Sequence, residues 1–126
     1  MSTGKKKGAS APSMSNQEVQ QTYSRFTSDL QTIATKIGEL EQEGEEYALV
    51  LSTLKDALEE EPDRKCFRLV GGVLVERTVQ DVVPVLETNC EGIKRAVTSL
   101  TEQYKTKEGE FDKFKQEYHI RPAIRS

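Results

Sequence analysis

The stretch Lys65-Cys-Phe-Arg-Leu-Val-Gly-Gly-Val-Leu-Val-Glu-Arg77 decides the fold. Two β-branched, apolar runs flank Gly71-Gly72, and a Gly-Gly pair suits the positive φ angles of a two-residue hairpin turn. Closing the turn there sets Val70 against Val73, Leu69 against Leu74 and Phe67 against Glu76. A ribbon of two short strands therefore interrupts the chain near its middle, and everything on either side of it reads as helix.

Upstream, apolar residues recur at Val19, Tyr23, Phe26, Leu30, Ile33, Ile37, Leu40, Tyr47, Leu51, Leu54 and Leu58, with Gly44 the single break. Steps of four and three alternate without a skip, which is a heptad register. Ser15 and Glu18 fit a capping box, with Met14 and Val19 placed as a hydrophobic staple. Pro62 forbids continuation. Downstream the same alternation runs Val83, Leu86, Cys90, Ile93, Val97, Leu100, Tyr104, Lys107, Phe111, Phe114, Tyr118, with Lys107 the one polar intruder, and Pro122 marks its end. Thr78 and Asp81 offer a cap for this second helix. Pro84 then requires either a kink or a restart from Asp81.

Numbered outward from the ribbon, the stripes match layer by layer. Leu58 meets Val83, Leu51 meets Cys90, Tyr47 meets Ile93, Gly44 meets Val97, Leu30 meets Phe111, Phe26 meets Phe114 and Tyr23 meets Tyr118. The expected fold is mainly α: an antiparallel two-helix coiled coil joined by one β-hairpin, about forty residues a side or ~60 Å at 1.5 Å per residue. Residues 1–14 read as a polar tail, residues 15–121 as the domain and 122–126 as a second tail. Lys5, Lys6 and Lys7 in the first tail are either solvated or a weak anion-binding or targeting patch. Gly44 is either a flex point or a slot admitting Val97.

An isolated two-stranded ribbon is marginal in water and exposes two edges of unpaired backbone groups. No proline and only Lys65 blunt these edges, so the strands are expected to pair with strands of other chains in a composite sheet or barrel. At the opposite end, five of the eight aromatic residues gather: Tyr23, Phe26, Phe111, Phe114 and Tyr118. They either close the end as core or leave apolar surface for a binding partner.

The rest of the composition excludes other functions. The 126 residues carry a formal net charge of −3, too small to mark a nucleic-acid or anionic-membrane surface. The longest apolar run rules out a transmembrane span, and no secretory leader is visible, so the chain reads as soluble and intracellular. Cys66 and Cys90 are too few and too far apart for a disulfide scaffold or metal knuckle. His119 is the only histidine, which leaves no triad and no histidine metal site; no enzyme activity and no cofactor are expected. Residues 39–61 hold nine acids against Lys55 alone. They read as a solvated face, although Glu59, Glu60 and Glu61 oppose the macrodipole at a helix C-terminus; basic residues of a neighbouring subunit, equivalents of Arg64, Lys65, Arg68 and Arg77, are candidates to offset them.

With these residues in view, the chain resembles the prefoldin family, most closely its β-type subunits. The resemblance rests on Phe67-Arg-Leu-Val-Gly-Gly-Val-Leu-Val-Glu-Arg-Thr-Val79, on Val83-Pro84-Val-Leu86, and on heptads of equal length around one hairpin. A single hairpin matches the β class; α-type subunits have two. The resemblance implies a heterohexamer, in which this chain's partners are two α-type and three further β-type subunits. The hairpins form a double β-barrel platform carrying six coiled-coil tentacles. Such complexes hold unfolded clients, notably actin and tubulin chains, and pass them to the cytosolic group II chaperonin without ATP. That implies a cytoplasmic location, with room for a nuclear fraction. Carried onto this sequence, subunit assembly falls to Phe67, Leu69, Val70, Val73, Leu74 and Val75. Client contact falls to Val19, Tyr23, Phe26, Phe111, Phe114 and Tyr118 at the tip. The competing expectation is a structural coiled-coil subunit of another assembly, such as a tether or cytoskeletal adaptor.

Overall fold

The computed structural model describes residues 14–121, so the Lys5–Lys7 patch, Pro122 and most of both expected tails lie outside the described residues. Helix α1 spans Asn16–Glu60, strand β1 Lys65–Val70, strand β2 Val73–Thr78 and helix α2 Val79–Glu117. The chain is mainly helical, two helices joined by one antiparallel hairpin.

Local chemistry sets each boundary. The Ser15 amide donates to Glu18 Oε1 at 2.9 Å and the Glu18 amide donates to Ser15 Oγ at 3.1 Å, a closed capping box that satisfies two otherwise orphaned donors. Pro62 stops α1 as expected, and the turn that follows offers its own carbonyls to α2. The Val79 amide donates to Arg64 O at 2.9 Å and the Gln80 amide to Pro62 O at 3.1 Å. The turn after α1 thus satisfies the first two amides of α2. The Asp81 amide donates to Thr78 Oγ1 at 3.3 Å, which settles the cap in favour of Thr78. Helix α2 then runs without interruption through Pro84. Proline lacks the amide that would serve the Gln80 carbonyl, but Gln80 is exposed and water can take that acceptor.

The far end of α2 closes on a Schellman motif. Ile120 donates its amide to Lys115 O at 2.8 Å and His119 donates to Gln116 O at 3.3 Å, with His119 at φ 55. A left-handed residue at this position is the usual way to end a helix. The lone histidine is thus a helix terminator.

Two compact units divide the chain, Lys36–Thr101 and the described parts of Met1–Thr35 with Glu102–Ser126. In the first, Leu51, Val79, Val83 and Cys90 form the buried core, with Tyr47, Leu54, Ala57, Leu58, Cys66 and Leu86 packed on it. Cys90 occupies the seam as a small hydrophobe. Val79 lies outside the expected stripe, yet it is the one wholly buried side chain among the described residues. Gly44 corrects an expected layer. A Cβ built on it would stand 3.3 Å from Ile93 Cγ2, so the glycine accommodates Ile93, whereas strict layers set it against Val97. Side chains of a coiled coil enter gaps between two partners, and facing positions are staggered as a result.

In the second unit α1 and α2 again run antiparallel. The stagger recurs: Phe111 meets the rings of Tyr23 and Phe26, each at 5.1 Å between centroids, where strict layers set it against Leu30. Lys107 also finds its place here. Its Nζ sits 3.5 Å from Asp29 Oδ2 and 5.6 Å from the centroid of the Phe26 ring. The long side chain lays its methylenes along the seam and turns its charge to a carboxylate and a ring face.

Candidate functional site

The ribbon forms because its turn has no Cβ to obstruct it. Gly71 at φ 54 and Gly72 at φ 81 both lie in the left-handed region, the requirement of a type I′ turn. The register is the expected one: Val70↔Val73, Leu69↔Leu74, Arg68↔Val75, Phe67↔Glu76, Cys66↔Arg77 and Lys65↔Thr78. Side chains alternate between the faces of a strand, and cross-strand partners share a face. Phe67, Leu69, Leu74 and Glu76 therefore stand on one face. Val70, Val73, Val75, Cys66, Arg68 and Arg77 stand on the other.

Five of the six expected assembly residues are open to solvent. Phe67, Leu69 and Leu74 are 62%, 69% and 67% exposed, and Val70 and Val73 are 53% and 62% exposed. Val75 is half-buried, and Cys66 on the same face packs against the core of its own unit. The two strands pair only with each other in a two-stranded sheet. Both outer edges are bare, and apolar side chains project from both faces. Water-facing groups of this size and density are unusual on a finished surface.

Five of the six expected tip residues, Tyr23, Phe26, Phe111, Phe114 and Tyr118, gather as well, with their rings in contact with one another. Phe26 stacks on Phe111 and tilts against Phe114 at 5.6 Å, and Phe114 meets Tyr118 at 5.2 Å. Phe111 and Phe114 are buried, whereas Val19, Tyr23, Phe26 and Tyr118 are half-buried. Lys115 caps the cluster with Nζ 4.4 Å from the Phe111 centroid. Desolvation beside these rings, and then the charges of Glu117 and Glu18, push the Tyr118 phenol above its ordinary value. The sequence spacing finds the cluster but overlooks three other exposed residues, Leu49, Val50 and Val85. The signal for Leu49 and Val50 was the run Tyr47-Ala-Leu-Val-Leu51, and for Val85 the run Val82-Val-Pro-Val-Leu86; both carry apolar residues beyond the width of a heptad stripe.

Among the described residues no group of histidine, cysteine and acidic side chains is arranged to hold a metal, and no helix is long and apolar enough to cross a membrane. The site is one of surface and shape.

Two heptad helices turning through a bare-edged ribbon define a class of coiled-coil subunit with an open pairing surface. Comparison with known proteins narrows the class. The family model described as "Prefoldin subunit" matches residues 17–122. A probable prefoldin subunit 2 of Schizosaccharomyces pombe is 47% identical over 107 residues, covering 84% of this chain and 91% of the relative. Prefoldin subunit 2 of Homo sapiens is 41% identical over 114 residues, 90% of this chain and 72% of the relative. That of Saccharomyces cerevisiae is 39% identical, covering 83% and 92%. Among solved structures, the prefoldin beta subunit from Thermococcus strain KS-1 is similar over 81% of this chain and 95% of its own, at 19% identity and a TM-score of 0.41. The chain belongs to the prefoldin family, and its relatives above share the subunit 2 name. Membership implies assembly with other prefoldin subunits.

Proposed function

We propose that this chain is one subunit of a hexameric, ATP-independent co-chaperone that captures unfolded proteins and delivers them to the cytosolic group II chaperonin. The observation that carries the reading is the uncovered ribbon, apolar on both faces and unpaired at both edges. In this reading Phe67, Leu69, Val70, Val73, Leu74 and Val75 join the ribbons of two α-type and three further β-type subunits into a platform. The chain works in the cytoplasm, performs no catalysis and needs no cofactor.

Capture falls to the aromatic cluster. Tyr23, Phe26 and Tyr118 keep part of their rings in water, and aromatic surface offers contact area without demanding one ligand geometry. Val19 widens this apolar rim, and Phe111 and Phe114 back it from beneath. One such cluster binds weakly. Several tethered on a common platform raise one another's effective concentration, so affinity arises from avidity and release requires only a competitor for the client. Actin and tubulin chains, long and slow to bury their apolar segments, are fitting clients.

The test separates the two halves of the proposal. Leu69→Asp with Leu74→Asp places charge on the open face of the ribbon and should keep the chain out of the complex when it is mixed with the other subunits, as read by native mass spectrometry. Trimming residues 1–26 and 111–126 should leave that assembly intact and abolish suppression of client aggregation. Assembly by the aspartate variant would overturn the platform, and protection by the trimmed complex would overturn capture at the cluster.

A further inference from the structure

The two faces of the ribbon differ in how their charges are satisfied. On the Phe67–Leu69–Leu74 face, Lys65 Nζ stands 4.0 Å from Glu76 Oε1, so that face holds its own ion pair. On the opposite face Arg68 and Arg77 are exposed, and neither has an ion partner among the described residues. A mirror-image deficit lies at the end of α1. Asp56, Glu59 and Glu60 are exposed and likewise have no cationic partner there, while Glu61 reaches only Arg64, at 3.9 Å. The last turn of α1 contains no basic residue, so these carboxylates face the negative end of the helix macrodipole uncompensated.

We propose that the Arg68–Arg77 face docks the acidic helix end of a neighbouring prefoldin subunit. The inference rests on the platform reading above and adds a charge contact to it: Arg68 and Arg77 share their face with the exposed Val70 and Val73, so this face packs apolar side chains and also reads charge. This chain displays both halves of such a contact, bare guanidinium groups on a ribbon and bare carboxylates at a helix C-terminus. Neighbours of the same build, set head to side, would satisfy both at once. Arginine suits the task, because its planar fork takes carboxylates bidentately and it keeps its charge when partly desolvated. Paired charges of this kind fix register and choice of neighbour more than they add raw affinity.

The experiment mixes the purified full-length chain with the remaining subunits and follows its entry into the complex across a salt series. Arg68→Glu with Arg77→Glu should enter about tenfold more weakly at low salt, with the gap narrowing as added salt shortens the screening length. Entry and salt response equal to the unaltered chain would overturn the docking. If the unaltered chain joins no subunit, the platform reading falls. If the aspartate pair at Leu69 and Leu74 blocks entry and the glutamate pair does not, the platform stands and only this inference falls. Both arginines lie on an exposed surface, and a circular-dichroism melt checks that the variant folds. As a second measurement, Arg68→Lys with Arg77→Lys is coupled within the complex by a carbodiimide. An amide to a carboxylate at a neighbour's helix end supports the proposal; coupling elsewhere, or none, overturns it.

Discussion

Gly44 and Lys107 occupy stripe positions where a heptad wants an apolar side chain, and each is explained by what it meets: Ile93 for Gly44, Asp29 and the Phe26 ring for Lys107. The neighbour of Gly44 is Ile93, whose Cγ2 would crowd an added Cβ at 3.3 Å, whereas Gly38 in the same helix meets nothing within 4 Å. Glycine costs about 1 kcal/mol in a helix interior relative to alanine. Gly38→Ala should therefore stabilise the chain by about 1 kcal/mol, and Gly44→Ala by clearly less, because Ile93 must yield by a few tenths of an ångström. Thermal melts of the two variants compare them directly; equal gains would mean that Gly44 is no slot. None of these neighbours was legible in the sequence. Periodicity says which side of a helix is buried, but it leaves the stagger between two helices free by half a layer. That freedom is why Phe111 was expected against Leu30 and is found against Tyr23 and Phe26. Val79 escaped notice for a related reason. It stands four positions before Val83 and so continues the same alternation of fours and threes, one step earlier than the expected stripe begins; its amide meets the Arg64 carbonyl as the side chain enters the core.

At the scale of elements the sequence was more explicit, because turns and caps are decided by neighbours a few positions apart. The Ser15–Glu18 box, the stop at Pro62 and the whole ribbon register follow from local chemistry and are found as expected. Pro84 was the exception, since a proline permits a continuous helix, a kink or a fresh start according to what serves the orphaned carbonyl. The turn is the element's point of control. Gly71 and Gly72 lie at φ 54 and 81, and a Cβ there costs roughly 1–2 kcal/mol per residue in the left-handed region. Gly71→Ala with Gly72→Ala should therefore open the ribbon without melting the helices. In practice, helical circular dichroism of the chain alone stays close to the unaltered value while entry into the complex is lost. Unimpaired assembly of this variant would mean that the turn geometry is not what presents the strands.

For the whole molecule, function follows from what the fold leaves unfinished. One compact unit closes its aromatic residues largely on themselves; the other ends in a ribbon with open apolar faces. The exposed ribbon was readable because two short apolar runs about a Gly-Gly pair, without blunting residues, are a local signal. Which of the ribbon's charges stay without an ion partner was not. The expected register already sets Lys65 and Glu76 on one face, but their approach to 4.0 Å is a matter of side-chain placement that spacing does not fix. In the proposed assembly the outer edges of this ribbon borrow hydrogen bonds from other chains. In an antiparallel pair, amides point alternately inward and outward. With Val70 and Val73 bonded across the turn, the amides of Phe67, Leu69, Leu74 and Glu76 point outward. Amide hydrogen exchange, resolved to these four positions, tests the claim most directly. Fast exchange is expected in the isolated chain and strong protection in the complex with the other prefoldin subunits. Equal exchange in both states would contradict the claim.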